Sequence, residues 1–132
     1  PYVRYTRADE RNVLKADCLI IDCFGLLSSI YRYGEIAYIG GGFGAGIHNT
    51  LEAAVYGMPV LFGPRYHKFK EAKDLIAVGG GFSITDDSSF RTKMDELLTD
   101  PTALETSGQA AGDFVKNSVG ATDQILRQIH IR

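Results

Sequence analysis

Apolar residues in this chain arrive in short runs separated by longer amphipathic stretches. Tyr2–Thr6 ("YVRYT"), Asp17–Asp22 ("DCLIID"), Ile36–Gly40 ("IAYIG"), Pro59–Gly63 ("PVLFG") and Gly81–Ile84 ("GFSI") are brief and rich in β-branched or aromatic residues. Such runs predict strands buried on both faces of a parallel sheet. Between the third and fourth, "HNTLEAAVYG" spaces Leu51, Ala54 and Val55 as a helix does, and Gly57 with Pro59 stops it. Between the fourth and fifth, "KFKEAKDLIAVGG" puts Phe69, Ala72, Leu75 and Ile76 on one stripe. Strand–helix alternation of this kind implies parallel strands joined by right-handed crossovers. After Ile84 the period is helical throughout. One helix carries Phe90, Met94, Leu97 and Leu98; a second, Thr102–Asn117, carries Leu104, Ala111, Phe114 and Val115; a third carries Ile125, Leu126 and Ile129.

The expected fold class is α/β, a Rossmann-like parallel sheet with a helical carboxyl-terminal tail. The 132 residues suffice for one domain, 1–132, of which 86–132 form the tail. Composition changes this picture little. A net charge of −2 argues against a nucleic-acid groove, and no apolar run approaches the roughly 18 residues of a membrane span. The opening residues, PYVRYTRADE, are too polar for a signal peptide. Cys18 and Cys23 stand five apart on a strand-like run, hence on opposite faces, and read as two buried free thiols.

Glycine distribution changes it more. Gly40, Gly41, Gly42, Gly44 and Gly46 follow the third strand, and His48, Asn49 and Glu52 come next at a helix start. Open α/β sheets bind ligands at this carboxyl edge, and helix-start amides favour anions. The loop around Gly41 and Gly42, with His48, is therefore the candidate for holding phosphate or sugar. A dinucleotide fingerprint can be read here, but the acid it needs about 20 residues on is absent. No Gly-Lys-Ser/Thr follows, so the loop is no ATPase P-loop. Asn49-x-x-Glu52 has capping-box spacing. It equally suits a carboxylate that accepts from ribose hydroxyls.

The order "DCFGLLSSIYRYGEIAYIGGGFGAGIHNTLEAAVYGMPVLFGP", then Phe69, "GGGF" and "FVKNSVGAT", resembles the carboxyl-terminal half of the Kdo (3-deoxy-D-manno-octulosonate) transferases, over about Asp17 to Ile129. The resemblance implies the carboxyl-terminal domain of a glycosyltransferase B fold, with its active site in the cleft between two Rossmann-like domains. It implies CMP contacts at Phe24, Gly25 and Leu26 and at Asn49, Thr50, Leu51 and Glu52. Leu26 stands where the family commonly has Glu, leaving a backbone contact there. Ile47 replaces a glycine and Thr50 a proline. The implied reaction moves Kdo from CMP-Kdo to the lipid A precursor in lipopolysaccharide biosynthesis. CMP-Kdo is the substrate, and no cofactor or protein-held metal is implied. The family's catalytic glutamate, acceptor site and membrane anchor lie in an amino-terminal domain. The chain, starting at Pro1, thus reads as a truncated, soluble piece with no catalytic residue. The intact enzyme would sit at the cytoplasmic face of the bacterial inner membrane, and the piece would self-associate as a homodimer.

Two other functions suit the same residues: a UDP-sugar-using glycosyltransferase B enzyme or epimerase, and a non-catalytic nucleotide-binding domain. Elsewhere, Arg65, His67, Lys68, Lys70 and Lys73 gather after the fourth strand, as a solvated helix start or as a means of steering an anionic donor. Arg65 and Lys68 share the sheet edge with the glycine loop. Asp86 and Asp87 read as helix caps and His130 as a surface residue.

Overall fold

The computed structural model describes residues 1–21, 27–44, 46–47 and 49–131, with the backbone alone at 27–28 and 119–131. They fall into two compact units, Pro1–Arg32 and Tyr33–Arg132.

In the first unit, β1 (Tyr2–Arg4) and β2 (Cys18–Ile20) pair in parallel, with Val3 opposite Leu19. Their crossover contains α1 (Glu10–Lys15). This helix lacks an apolar stripe, so the hydrophobic pattern does not announce it. It starts because Asp9 accepts the N–H groups of Arg11 and Asn12 at 2.9 and 2.8 Å while Asn12 returns a bond to the Asp9 N–H. A short helix, α2 (Leu27–Ile30), follows, and then a 3-10 turn at Tyr31–Tyr33. Two expectations are corrected in this unit. Strand β2 is exposed along its length, and Cys18 is an exposed free thiol rather than a buried one. A two-stranded sheet with one short crossover helix lacks the layers needed to cover both faces. Cys23 lies outside the described residues.

In the second unit, β3 (Ala37–Ile39), β4 (Val60–Phe62) and β5 (Gly81–Ser83) form a parallel sheet in that order, with Tyr38, Leu61 and Phe82 in register. The crossovers contain α3 (Leu51–Ala54) and α4 (Lys70–Val78), and α5 (Asp87–Thr99) and α6 (Pro101–Ile131) complete the chain. Only the middle strand meets the expectation of burial on both faces: Val60, Leu61 and Phe62 are each 0% exposed. Leu61 lies in a core cluster with Ile84 and Leu97, against which Phe82, Phe90, Met94 and Leu104 pack. Full burial of a side chain of this size contributes about 1.5–3 kcal/mol.

Helix α5 starts at Asp86, whose carboxylate accepts the Ser89 N–H at 2.7 Å. That backbone bond, then the Ser89 hydroxyl, holds the Asp86 carboxyl below its ordinary value of 3.8. Asp87 does not cap; it pairs with Arg91 one turn on at 2.9 Å. Leu98, expected on the apolar stripe, is exposed because Leu97 already points into the core. The last two expected helices are one. Helix α6 runs through Gly120 without a break, started by Asp100 accepting from Thr102 and Ala103. It packs against α3, α4 and α5. The close approach to the turn after α3 needs glycine: a Cβ on Gly108 would strike the Gly57 carbonyl oxygen.

Candidate functional site

Beyond β3 the chain turns sharply on itself. The Gly41 carbonyl accepts both the Gly44 and Gly46 N–H groups at 3.1 Å. Gly41 has a φ of +92°, and a side chain there would run into the Gly46 carbonyl. A Cβ on Gly42 would lie 2.5 Å from the Gly63 Cα, so the turn and the exit of β4 touch backbone to backbone. Arg65 fastens this contact twice: its N–H donates to the Gly42 carbonyl at 2.8 Å and its Nη1 to the Gly44 carbonyl at 3.0 Å. Most of the glycine density thus serves the turn's own packing. Gly44 differs, because a Cβ there would have nothing nearer than the Gly41 oxygen at 3.9 Å.

The following residues do not form the reciprocal cap that their spacing allows. Asn49 Oδ1 accepts the N–H of Leu51 at 2.9 Å, one residue short of Glu52. Thr50 occupies the cap position in a helical conformation (φ −85°, ψ −25°), without a side-chain cap bond. An extended cap residue is what lets a side chain reach the third amide, and the helical one here draws Asn49 onto the second. Glu52 is exposed, and its carboxylate has no hydrogen-bond or ion-pair partner among the described residues. Helix α3 is only four residues long, too short to build the macrodipole of a longer helix. Any anion held here would meet individual amides rather than a dipole, and those of Gly44 and Gly46 are already used within the turn.

Asn49, Thr50 and Leu51 line a cavity of about 390 Å³ with Ile47, Phe69 and Glu71. Thr50 is buried at 4% exposure, and Asn49 is exposed. The sequence pattern put Phe69 on the apolar stripe of α4. The structure places it one residue before that helix, extended, with its ring 3.0 Å from where a Gly46 Cβ would be. Glu71 was missed; its place in the first turn of α4 is the signal that would have found it. A second cavity of about 230 Å³ is lined by Arg65, His67, Lys68 and the same Phe69. A third, about 410 Å³, lies between Tyr38, Phe43, Ile84, Phe90, Asp86 and Asp87, but both its carboxylates are committed to α5. Of the expected site residues, Asn49, Thr50 and Leu51 share one cavity wall, and Glu52 stands exposed beside it. Gly42 is buried in the adjoining turn and Gly41 is partly exposed. Phe24, Gly25, Leu26 and His48 lie outside the described residues. Among the described residues no three His, Cys, Asp or Glu side chains gather as metal ligands.

No family model matches the chain. Among curated proteins, the 3-deoxy-D-manno-octulosonic acid transferase of Aquifex aeolicus is 39% identical over 88 residues, 65% of this chain and 25% of the relative. The transferase of the same name from Rickettsia conorii is 33% identical over 120 residues, 89% of this chain and 26% of that protein. That from Bordetella pertussis is 33% identical over 115 residues, 83% and 26% of the two chains. The chain belongs to the Kdo transferase family. It spans about a quarter of the length of the Kdo transferases it matches. Its fold is that of a solved structure titled the C-terminal CMP-Kdo binding domain of WaaA from Acinetobacter baumannii. The TM-score is 0.69 and the identity 23%, covering 85% of this chain and 59% of the other. The expected α/β class, with parallel strands and a helical tail, is therefore the observed one. No helix among the described residues is long and apolar enough to cross a membrane.

Proposed function

We propose that this chain is the donor-holding part of a glycosyltransferase that moves Kdo from CMP-Kdo to the lipid A precursor of lipopolysaccharide. The intact enzyme works at the cytoplasmic face of the bacterial inner membrane. The observation that carries the reading is the pair Asn49 and Glu52. Asn49 lines a cavity at the carboxyl edge of the sheet, and Glu52 beside it keeps an exposed carboxylate that helix capping does not use. A carboxylate so placed accepts from ribose hydroxyls, while the Asn49 amide nitrogen is left to donate outward. The relatives' name and the neighbour's title supply the chemistry this pair would serve.

In the proposed reaction an acceptor hydroxyl attacks the anomeric carbon of Kdo directly. A carbon–oxygen bond forms to the acceptor as the bond to the CMP phosphate oxygen breaks, with inversion. The hydroxyl proton passes to a glutamate that the family resemblance puts in the amino-terminal domain. This chain's part is to bind and orient the leaving nucleotide through Phe24, Gly25 and Leu26 and through Asn49, Thr50, Leu51 and Glu52. Gly41, Gly42 and His48 lie beside the phosphate and sugar, whose charge the loop's polar groups stabilise. CMP-Kdo enters as substrate, and the reaction as proposed needs neither cofactor nor metal. The chain associates with a second copy of itself, a reading supported by the exposed apolar residues of its first unit.

Titration of the isotope-labelled chain with CMP and with UMP, followed by amide NMR, tests the donor assignment. CMP should shift the amides of Asn49 to Glu52 and bind more tightly than UMP. Equal binding of the two nucleotides, or shifts confined to another surface, would overturn it.

A further inference from the structure

The two cavities that meet at Phe69 have opposite chemistry. One presents the Asn49 carboxamide and the Glu71 carboxylate; both suit hydroxyl and amino groups, and the carboxylate repels anions. The other presents Arg65, His67 and Lys68, and no acid among the described residues. Its donors are unusually free. His67 and Lys68 have no hydrogen-bond or ion-pair partner among the described residues, whereas the neighbouring Lys70 is taken by Asp74 at 3.9 Å. Arg65 uses one Nη1 bond on Gly44 and keeps the other donors of its fork. The loop is also fixed in place. The His67 ring stacks on Tyr66 at 4.4 Å, and Tyr66 meets the fully buried Phe62 edge-on at 5.5 Å. Unneutralised donors on an anchored loop, converging on a small concavity, make a receptor for a compact anion.

Resting on the donor reading above, we infer that this cavity receives the carboxylate of the donor's sugar acid, with Lys68 as its principal cation and Arg65 and His67 as flanking donors. An octulosonic acid carries its carboxylate on the same anomeric carbon as the phosphate bond. A donor whose nucleoside lies against Asn49 therefore presents a second anion a short distance beyond its first, and Phe69 is the wall the two cavities share. Lys68 and its neighbours are then specificity determinants: they distinguish an acidic nucleotide sugar from CMP alone or from a neutral sugar nucleotide.

The test titrates the labelled chain with CMP, CMP-Kdo and inorganic phosphate, and repeats the first two with K68Q. CMP should move the amides of Asn49 to Glu52. CMP-Kdo should move these and, in addition, those of Arg65 to Lys68. K68Q, a change at an exposed side chain with no hydrogen-bond or ion-pair partner among the described residues, should shrink the preference for CMP-Kdo over CMP by up to about fivefold, the upper end for a solvent-accessible charge pair. Three results would overturn the inference: CMP alone moving Arg65 to Lys68 as far as CMP-Kdo does, inorganic phosphate moving them with no competition from CMP-Kdo, or an unaltered preference in K68Q. Failure of CMP to move Asn49 to Glu52 would instead overturn the donor reading, and the sugar-acid site with it.

Discussion

Asn49 and Glu52 stand three positions apart, the spacing of a reciprocal cap, and the backbone between them decides that no cap forms. Thr50 is helical where a cap residue would be extended, so Asn49 bonds to Leu51 and Glu52 is left facing solvent. The consequence is a separation of stability from function at Glu52. E52Q should leave stability within about 0.5 kcal/mol of the parent, as exposed substitutions without partners do, while CMP affinity falls several-fold. Thermal melts alongside nucleotide titration would check both halves. A large drop in melting temperature with unchanged affinity would return the residue to a capping role. The residue types of this site were readable in the sequence. That the spacing "N-x-x-E" forms no reciprocal cap was not, because the backbone conformation at Thr50 decides it.

At the scale of elements, five strands and their parallel sense followed from short apolar runs alternating with amphipathic ones. Periodicity was less reliable where neighbours decide burial. β2 carries the same kind of apolar run as β4, yet it is exposed while β4 is wholly buried, since among the described residues only β4 has a strand on each side, and Leu61 packs in a cluster with Phe90, Met94, Leu97 and Leu104 of the helices. The unbroken α6 was likewise hidden by Gly120, which costs a helix about 1 kcal/mol but need not end it. Glycine within this helix also has a packing role. At Gly108 a methyl group would meet the Gly57 carbonyl, a backbone obstacle that cannot rotate away. G108A should therefore destabilise the chain by about 1–3 kcal/mol despite its better helix propensity. G44A, with open space around it, should be nearly neutral. Urea denaturation of the two variants side by side measures the contrast, and equal midpoints would mean that α6 can shift away from the turn.

For the whole molecule, apolar exposure in the first unit is the dominant physical fact. Leu14 is 87% exposed, Leu19 45% and Ile20 42%, and a two-stranded parallel pair leaves strand edges unpaired. Surfaces of this kind associate, so sedimentation should show a concentration-dependent dimer. A double charge substitution, L14E with I20K, should shift the chain to monomer, whereas a clean monomer at high concentration in the parent chain would refute the expectation. Sequence alone determined the α/β class, the parallel sense of the strands and the family, because period, run length and motif order are local properties that survive without coordinates; that the strands divide between two sheets it did not show. It also supplied the residue types of the proposed donor site. Only the tertiary structure decided what those residues are free to do. Packing of Gly42 on Gly63 and the tie from Arg65 account for most of the glycines, the Asn49 bond releases Glu52, and the loop between β4 and α4 brings Phe69 and Glu71 against Asn49. Apart from the local Asn49 bond, these are contacts between segments about 20 residues apart, and spacing along the chain carries no record of which donor meets which acceptor.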